Sequence, residues 1–146
     1  MDQLRSSGRC PEIGDVYMVD FRGSDSEQCG FRPALVFSNN RGNTHSPNVI
    51  VLPLTSSVKK QSQPTHVLLR AAETGLLKDS MVLCENPACV SKSRLKQYVT
   101  KIPTVQLRQV AEASMLATSA PAFLDLPSFA RIRDLAISFN RPLSRS

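Results

Sequence analysis

Five short β-prone segments, separated by polar loops, follow one another in the first 85 residues and constrain the fold more than any other feature. They span residues 13–21, 34–38, 48–54, 65–70 and 81–85. The apolar side chains that alternate onto one face of the first segment are Ile13, Tyr17, Val19 and Phe21. Pro53 in the third segment indicates an edge or a bulge, because proline cannot donate to a ladder. Five short strands in sequence predict a mainly β protein, built as a small barrel.

A helix is predicted after the strands, from Thr104 to Thr118. Thr104 follows Pro103 and has the hydroxyl that an N-cap requires. The apolar residues at helical spacing are Leu107, Val110, Ala113 and Ala117. Such a stripe favours an amphipathic helix packed on the barrel. Earlier in the chain, Gly75 is placed to close a short helical turn at residues 73–75.

A second helix is predicted in the C-terminal part of the chain. Pro121 and Pro127 break the chain before it, and it runs from Phe129 to Phe139. One helical face carries Phe129, Ile132, Leu135, Ala136 and Phe139. The last residues, 142–146, are expected to be disordered, as chain ends usually are.

The charge of the chain favours a polyanionic or acidic partner. The 146 residues carry a formal net charge of +6, and the isoelectric point is about 9.5. This length suits one domain with decorated ends. The polar N-terminus has no apolar core, and no stretch approaches the roughly 20 apolar residues of a membrane span. We therefore expect a soluble, cytoplasmic protein with no membrane contact.

Cysteine and histidine are too few and too scattered to predict a metal centre. The four cysteines are Cys10, Cys29, Cys84 and Cys89, and they form no CxxC pair. Their density is also below that of a secreted disulfide scaffold, so reduced thiols are expected. Only His45 and His66 could join them. We therefore expect neither metal nor cofactor.

A polar loop at residues 26–33 ends in an arginine that is held where a strand begins. Arg32 precedes Pro33, and proline restricts the residue before it to extended conformations. The rigid guanidinium is a good phosphate ligand. The third strand runs out into Thr55 and Ser56, which bring hydroxyl donors to what could be the same face. This combination indicates phosphoryl chemistry or nucleic-acid binding.

Several short motifs, taken in order, resemble the MazF/PemK toxin family over roughly residues 12 to 118. The matching pieces are residues 14–21, 26–28, Gly30, 32–33, Asn43, 46–47, 54–56 and 64–67. Each piece alone is a weak signal, whereas their order and spacing together are specific. The resemblance divides the chain into an N-terminal tail (1–12), a toxin domain (13–119) and a C-terminal extension (120–146).

The resemblance implies an α+β, mainly β fold, with a small SH3-like barrel of the MazF/PemK/CcdB type and a C-terminal helix. It implies a homodimer that cleaves single-stranded RNA at short sequences without metal, as an mRNA interferase that blocks translation. A neutralising antitoxin is also implied, whose acidic, disordered tail folds onto the basic RNA groove. DNA contact is expected only through the toxin–antitoxin complex.

The resemblance assigns the catalytic roles to Arg32 and Thr55. Metal-free cleavage requires stabilisation of the phosphorane charge, a base for the ribose 2′-hydroxyl and an acid for the leaving oxygen. Arg32 suits the first task, and Glu27 in the adjacent loop is our candidate base. His45 and His66 are an alternative acid–base pair, because imidazole is the side chain best suited to exchanging protons at physiological pH.

Further residues are predicted to contact RNA. They are Phe21, Gln28, Ser56, Lys59, Lys60, His66, Glu85 and Asn86. Glu85 and Asn86 have side chains suited to reading base edges in single strands. Phe21 and Phe31 flank the catalytic loop, and core packing competes with base stacking for both rings, with Phe21 the better stacking candidate.

A non-catalytic toxin on the same scaffold, such as a DNA gyrase poison resembling the CcdB toxin, is the alternative function. Fold alone does not separate the two. Arg32 and Thr55 favour the ribonuclease.

Overall fold

Seven antiparallel strands and four α-helices make up the part of the chain that the structure describes. The structure is a computed structural model, and it describes residues 9–23, 30–58 and 63–141. The strands are β1 (Asp15–Asp20), β2 (Phe31–Val36), β3 (Asn48–Thr55), β4 (His66–Leu69), β5 (Ser80–Leu83), β6 (Ala88–Ser91) and β7 (Leu95–Lys101). The helices are α1 (Asn40–His45), α2 (Ala71–Thr74), α3 (Thr104–Leu116) and α4 (Leu126–Phe139), with 3₁₀ turns at Lys92–Arg94 and Ala120–Phe123.

The sheet has the order β4-β5-β3-β2-β1-β7, and β6 also pairs with β3. Strands β6 and β7 therefore lie at opposite edges, yet only the turn Lys92–Arg94 joins them. Because this turn is only three residues long, the sheet must curl so that the β6 edge approaches the β7 edge. Within residues 9–23, 30–58 and 63–141, no ladder joins β7 to β6 or to β4, so hydrogen bonds do not close the curl. The predicted mainly β, α+β fold is confirmed.

The five predicted strands correspond to β1 through β5, and the sequence did not predict β6 or β7. The pairing of β7 with β1 shifts register twice, between Val16 and Tyr17 and between Met18 and Val19. These irregularities break the alternation that marks a strand in a sequence. Leu95 and Tyr98 consequently face the same core although three positions separate them.

Two apolar cores lie on the two faces of the sheet. The outer core lies under α3 and includes Val16, Leu35, Leu52, Leu54, Val82, Val110 and Ala113. The inner core fills the concave face of the curl and consists of Tyr17, Val19, Phe21, Ala34, Val36, Val49, Val51 and Leu95. Side chains from both edges, Ala88 and Val90 of β6 and Tyr98 of β7, pack against the inner core.

The helices begin earlier than the sequence predicts. The N-cap of α3 is Pro103, and Thr104 is already the first helical residue, so the N-cap assigned to Thr104 is wrong. Helix α4 starts at Leu126, because Asp125 accepts a hydrogen bond from the Ser128 N–H at 2.8 Å. Pro127 lies in this first turn, where its missing N–H costs nothing. It starts the helix rather than breaking the chain before it.

The predicted short turn is α2, and Gly75 closes it in the left-handed conformation (φ +84°). Helix α1 was not predicted; the Asn39 side chain caps it by accepting from the Gly42 N–H at 2.8 Å. No helix in the described ranges is long and apolar enough to cross a membrane.

Helix α4 touches the rest of the protein mainly through its C-terminal end. The Arg41 guanidinium lies 5.2 Å from the centre of the Phe139 ring, and the Asn40 N–H donates to Asn140 Oδ1 at 2.8 Å. The face predicted to be apolar is only partly covered, since Ile132 and Leu135 are 45% and 49% exposed. Residues 142–146, predicted to be disordered, lie outside the described residues.

Candidate active site

The pairing of β2 with β3 aligns Arg32 and Thr55. The paired residues are Ala34 with Pro53, Leu35 with Leu52 and Val36 with Val51. Continuing this register by two residues sets Arg32 opposite Thr55. Residues that face each other across antiparallel strands have Cβ atoms about 4.5–5.5 Å apart. The sheet thus brings the two predicted catalytic residues together at the end where β2 begins and β3 ends.

Both side chains belong to the concave face of the sheet. Arg32 alternates with Ala34 and Val36, which are inner-core residues, and Thr55 alternates in the same way with Val51. Both residues are half-buried. Arg32 pairs with the fully buried Val19 of β1, so its position in the sheet is at the edge of the inner core.

The hydroxyl of Thr55 is oriented by its own turn. Thr55 Oγ1 accepts a hydrogen bond from the Ser57 N–H at 3.1 Å. Because that bond uses an oxygen lone pair, the hydroxyl proton can still be donated to a phosphate oxygen. Ser56, between them, is exposed at the same strand end.

An ionic cluster that the sequence analysis missed lies beside Arg32. Arg22 Nε and Nη2 donate to Asp20 Oδ1 and Oδ2 at 2.9 and 3.0 Å. Arg94 Nη1 donates to the backbone oxygens of Arg22 and Asp20 at 2.7 and 3.2 Å. The hydrogen bonds from the Arg22 side chain and backbone lower the pKa of Asp20 to about 2. The cluster therefore keeps its carboxylate charged and ties the end of β1 to the turn before β7.

Only part of this cluster had a signal in the sequence. Asp20 and Arg22 are two positions apart at a predicted strand end, which is close enough for a local ion pair. Arg94 precedes a strand that was not predicted, so its approach to Asp20 follows only from the three-dimensional register of β7 on β1.

His66 and Glu85 form a second pair on the same sheet. His66 Nε2 and Glu85 Oε2 are 2.9 Å apart. Partial burial alone would raise the pKa of Glu85, but hydrogen bonds from His66, from the backbone and from Thr65 outweigh it and bring the pKa below its usual value. The Glu85 carboxylate therefore favours its charged form, in which both oxygens accept hydrogen bonds.

The His66–Glu85 pair lies away from the Arg32–Thr55 pair. Thr55 pairs with Met81, Met81 pairs with Leu68, and His66 is two residues from Leu68 on β4. Strand spacings of about 4.8 Å and rises of about 3.3 Å per residue put His66 roughly 12 Å from Thr55. This distance suits contact with a neighbouring nucleotide rather than with the same phosphate.

The two-histidine alternative is not supported by this arrangement. His45 ends α1 just before β3 begins, whereas Thr55 ends β3. The same strand dimensions separate His45 from the Thr55 end of the sheet by more than about 20 Å. His45 and His66 therefore do not meet at one phosphate.

The two phenylalanines beside the site differ in exposure. Phe21 is 2% exposed and belongs to the inner core, so the prediction that its ring contacts RNA is wrong in this fold. Phe31 is 48% exposed and lies under the Arg22 guanidinium, with 4.7 Å between Cζ and the ring centre. The exposed ring beside the site is that of Phe31.

The remaining predicted residues are exposed or undescribed. Asn86 is exposed, and its N–H donates to the Leu83 oxygen at 3.1 Å. Glu27, Gln28, Lys59 and Lys60 lie outside the described residues. In the described part of the chain, no three His, Cys, Asp or Glu side chains come together as a possible metal site.

The sequence and the fold are both similar to those of known toxins. Residues 12–117 match the profile of a family described as PemK-like, MazF-like toxin of type II toxin-antitoxin system. A curated relative, Endoribonuclease MazF of Staphylococcus saprophyticus, is 38% identical over 101 residues, which cover 68% of this chain and 84% of that protein.

Two solved structures share the fold. The MazF (Form-I) structure from Deinococcus radiodurans has a TM-score of 0.64 at 24% identity and covers 80% of this chain and 99% of that one. A mycobacterial endoribonuclease in complex with its cognate antitoxin has a TM-score of 0.61 at 24% identity, with coverages of 73% and 93%. Residues 118–146 lie beyond the family match.

Proposed function

The chain belongs to the family of PemK-like, MazF-like toxins of type II toxin–antitoxin systems, and we propose that it is a metal-independent endoribonuclease that cuts single-stranded mRNA at selected sequences. Such cleavage stops growth by removing templates for translation. The observation that carries the proposal is the register that sets Arg32 opposite Thr55 at the mouth of the inner core.

The reaction is a transfer within the RNA. The ribose 2′-oxygen attacks the adjacent phosphorus as its proton passes to a base, and the bond from phosphorus to the 5′-oxygen breaks as that oxygen takes up a proton. The products are a 2′,3′-cyclic phosphate and a 5′-hydroxyl. We assign the base to Glu27, which burial beneath RNA would bring toward neutral pKa while Arg32 opposes that shift.

Arg32 stabilises the charge that develops on the phosphorus oxygens. Its planar fork can make two parallel hydrogen bonds, and each charge-assisted bond contributes about 1.5–3 kcal/mol. Thr55 donates to a further oxygen from the neighbouring strand. Donors fixed in this way act mainly on the transition state, because the sheet has already oriented them.

The RNA strand follows the rim of the sheet on either side of this pair. We propose that Ser56, Lys59, Lys60 and Gln28 hold its backbone. The His66–Glu85 pair and Asn86 lie further along the sheet, where they read base edges. The net charge of +6 favours association with the polyanion.

The test uses purified protein, a long single-stranded RNA and excess EDTA, with mapping of the cut ends. Wild-type protein is expected to give discrete cuts ending in 2′,3′-cyclic phosphate. Arg32→Ala and Thr55→Ala should each lose roughly 10²- to 10³-fold in rate while remaining folded. Arg70→Ala, at an exposed arginine before α2, is the matched control and should cut like wild type. Intact RNA with wild-type protein, or full activity of Arg32→Ala, would refute the proposal.

The partners follow from the same function. We propose that the protein is a homodimer in the bacterial cytoplasm, neutralised by an antitoxin whose acidic, disordered tail covers the RNA-binding rim. It meets DNA only within that complex. The mycobacterial relative solved with its cognate antitoxin supports a partner of this kind.

A further inference from the structure

Arg22 has a flat, fixed and open guanidinium face next to the catalytic strand. The bidentate contact with Asp20 holds the fork in one plane. Phe31 lies against one side of that plane, 4.7 Å from Cζ. The Arg22 side chain is nevertheless 66% exposed, so its other side faces solvent. We propose that this open face is a stacking site for one nucleobase of the RNA bound at Arg32, an inference that rests on the proposed ribonuclease function.

The site is ordered before any ligand arrives. Besides its side-chain contacts, the Arg22 N–H donates to Asp20 Oδ1 at 3.0 Å, and Arg94 Nη1 donates to the Arg22 oxygen at 2.7 Å. Backbone and side chain are therefore held from three directions. A stacking surface that is already fixed spares the ligand the entropic cost of ordering a long side chain.

The contacts of Arg22 favour a base over a phosphate. Both oxygens of Asp20 occupy the Nε–Nη2 edge of the guanidinium, which is one of its two bidentate edges. The carboxylate also balances the positive charge of the fork, which weakens its attraction for a phosphate. The open planar face is therefore the better site for a ligand, since unstacked RNA bases pack well on arginine planes. A phosphate on the Nη1 N–H groups is the competing outcome, and the dependence of binding on salt distinguishes the two.

The position beside the reacting phosphate follows from strand register. Asp20 pairs with Phe31, and Val19 pairs with Arg32, so the stacking site and the catalytic arginine occupy adjacent rungs of one ladder. Phe31 and Arg32 point to opposite faces at the very start of β2. An RNA strand that crosses this strand end can place a phosphate at Arg32 and a neighbouring base on Arg22.

The experiment measures binding to the RNA that wild-type protein cuts, made uncleavable by a single 2′-deoxyribose at the cut site. Arg22→Lys retains the charge and removes the flat face, so it should weaken binding roughly 5- to 100-fold. The dependence of affinity on salt should keep the wild-type slope, because no phosphate contact is lost. Arg108→Lys, at an exposed arginine of α3, is the matched control and should bind like wild type.

A second series locates the base and removes any effect of altered folding. Single abasic nucleotides are placed in turn along the same RNA. At one position, the abasic nucleotide should lower the affinity of wild-type protein by most of the factor that Arg22→Lys loses on intact RNA. The same abasic nucleotide should lower the affinity of Arg22→Lys only slightly further. Phe31→Leu, which removes the supporting ring, should show part of the same loss at the same position.

Two results would overturn the inference: wild-type affinity of Arg22→Lys, or equal abasic penalties in both proteins at every position. A salt slope reduced by about one would instead identify a phosphate contact and also refute stacking. These outcomes are distinct from failure of the proposed function, in which wild-type protein would leave the parent RNA uncut.

Discussion

The two ends of β1, Asp15 and Asp20, carry clusters built from the same kinds of side chain, but the clusters differ in exposure. At the closed end, Asp15 has no exposed surface and faces Arg9 Nη2 at 3.7 Å and Lys101 Nζ at 3.1 Å. Arg9 also lies 3.8 Å from the centre of the Tyr98 ring. Asp15 and Tyr17 have no exposed surface, so this end is closed, and burial raises the pKa of Tyr17 to about 12.

At the open end, Asp20 again faces two cations, Arg22 and Arg94, and an aromatic ring again lies under an arginine. Here, however, Arg22 and Phe31 are exposed, and Arg32 and Thr55 stand at the rim. The difference shows that one set of residue types can form either a closed arrangement or one whose arginine and aromatic ring are open to solvent. The two clusters differ in the exposure of the arginine that faces the carboxylate: the Arg9 side chain is 34% exposed, and the Arg22 side chain is 66% exposed.

The largest effect should come from breaking the closed end. Asp15→Asn leaves Arg9 and Lys101 beside an uncharged, buried group. Loss of one partner of a fully buried pair costs about 3–5 kcal/mol, but solvent screens the two cations, which are 34% and 42% exposed, so the expected cost is roughly 2–4 kcal/mol. We expect the free energy of unfolding in urea to fall by that amount. If Asp15→Asn does not fold, Lys101→Met tests the same pair with Arg9 left in place.

Asp20→Asn is the matched variant at the open end. It should change the urea midpoint far less than Asp15→Asn does. RNA affinity should drop several-fold, because the Arg22 guanidinium loses the carboxylate that fixes its plane. Equal destabilisation by the two asparagine variants would contradict the comparison.

Removal of residues 120–146 should have the next largest effect. The contacts of α4 involve Asn40 and Arg41, and a cavity of about 570 Å³ separates its end from Cys10 and Glu12, so the extension belongs to the closed end. Loss of one hydrogen bond and one cation–π contact should cost about 1–3 kcal/mol. The RNA sites that are cut should stay the same. A changed cut pattern or a lost dimer on gel filtration would instead assign the extension to the substrate or the dimer interface.

A smaller effect is expected from Arg9→Gln. This variant removes the cation above Tyr98, a contact of about 0.5–2 kcal/mol, and leaves Lys101 on Asp15. Thermal unfolding should shift down slightly, and RNA affinity should not change. The opposite pattern, in which binding falls and stability is unaffected, would place Arg9 with the open end.

The smallest effect concerns pH. The pKa of Asp20 is about 2 in the folded protein, below its value in an unfolded chain. Its ion pair therefore stabilises the fold above pH 4, and this stabilisation is lost as pH falls through about 2. From pH 5 to 8 the difference in urea midpoint between wild type and Asp20→Asn should be constant, and it should shrink only below pH 4. A difference that changes near neutral pH would contradict this assignment.

Local patterns in the sequence were enough to predict β1 through β5 and α3. The sequence also predicted that Arg32 and Thr55 share a face, and the β2–β3 register, continued beyond Ala34 and Pro53, agrees with that placement; their catalytic roles stay a prediction. The alternation of Tyr17, Val19 and Phe21 was also interpreted correctly, and it already placed Phe21 on a buried face. The error was to include the Phe21 ring among the predicted RNA contacts. Phe31, on the face that does not line the inner core, retains the exposed ring.

The parts that were not predicted depend on long-range register. Arg9, Asp15 and Lys101 come from three separate segments, and Arg94 reaches Asp20 only because β7 pairs with β1. Two bulges in that pairing remove the periodic signal of β7 itself. The spacing of residues within one segment does not predict these contacts, because they form only when distant segments pack together.

The pairing of Asp15 with Lys101 also sets the order in which the protein can be completed during synthesis. The first strand leaves the ribosome early, but its second neighbour in the sheet, β7, is the last of the described strands to be made. Contacts between such distant segments form slowly, and domains fold as units once their chain is available. A nascent chain that ends before residue 95 therefore lacks both Lys101 at the closed end and the edge strand beside Val19. We expect the nuclease to become active only late in its own translation.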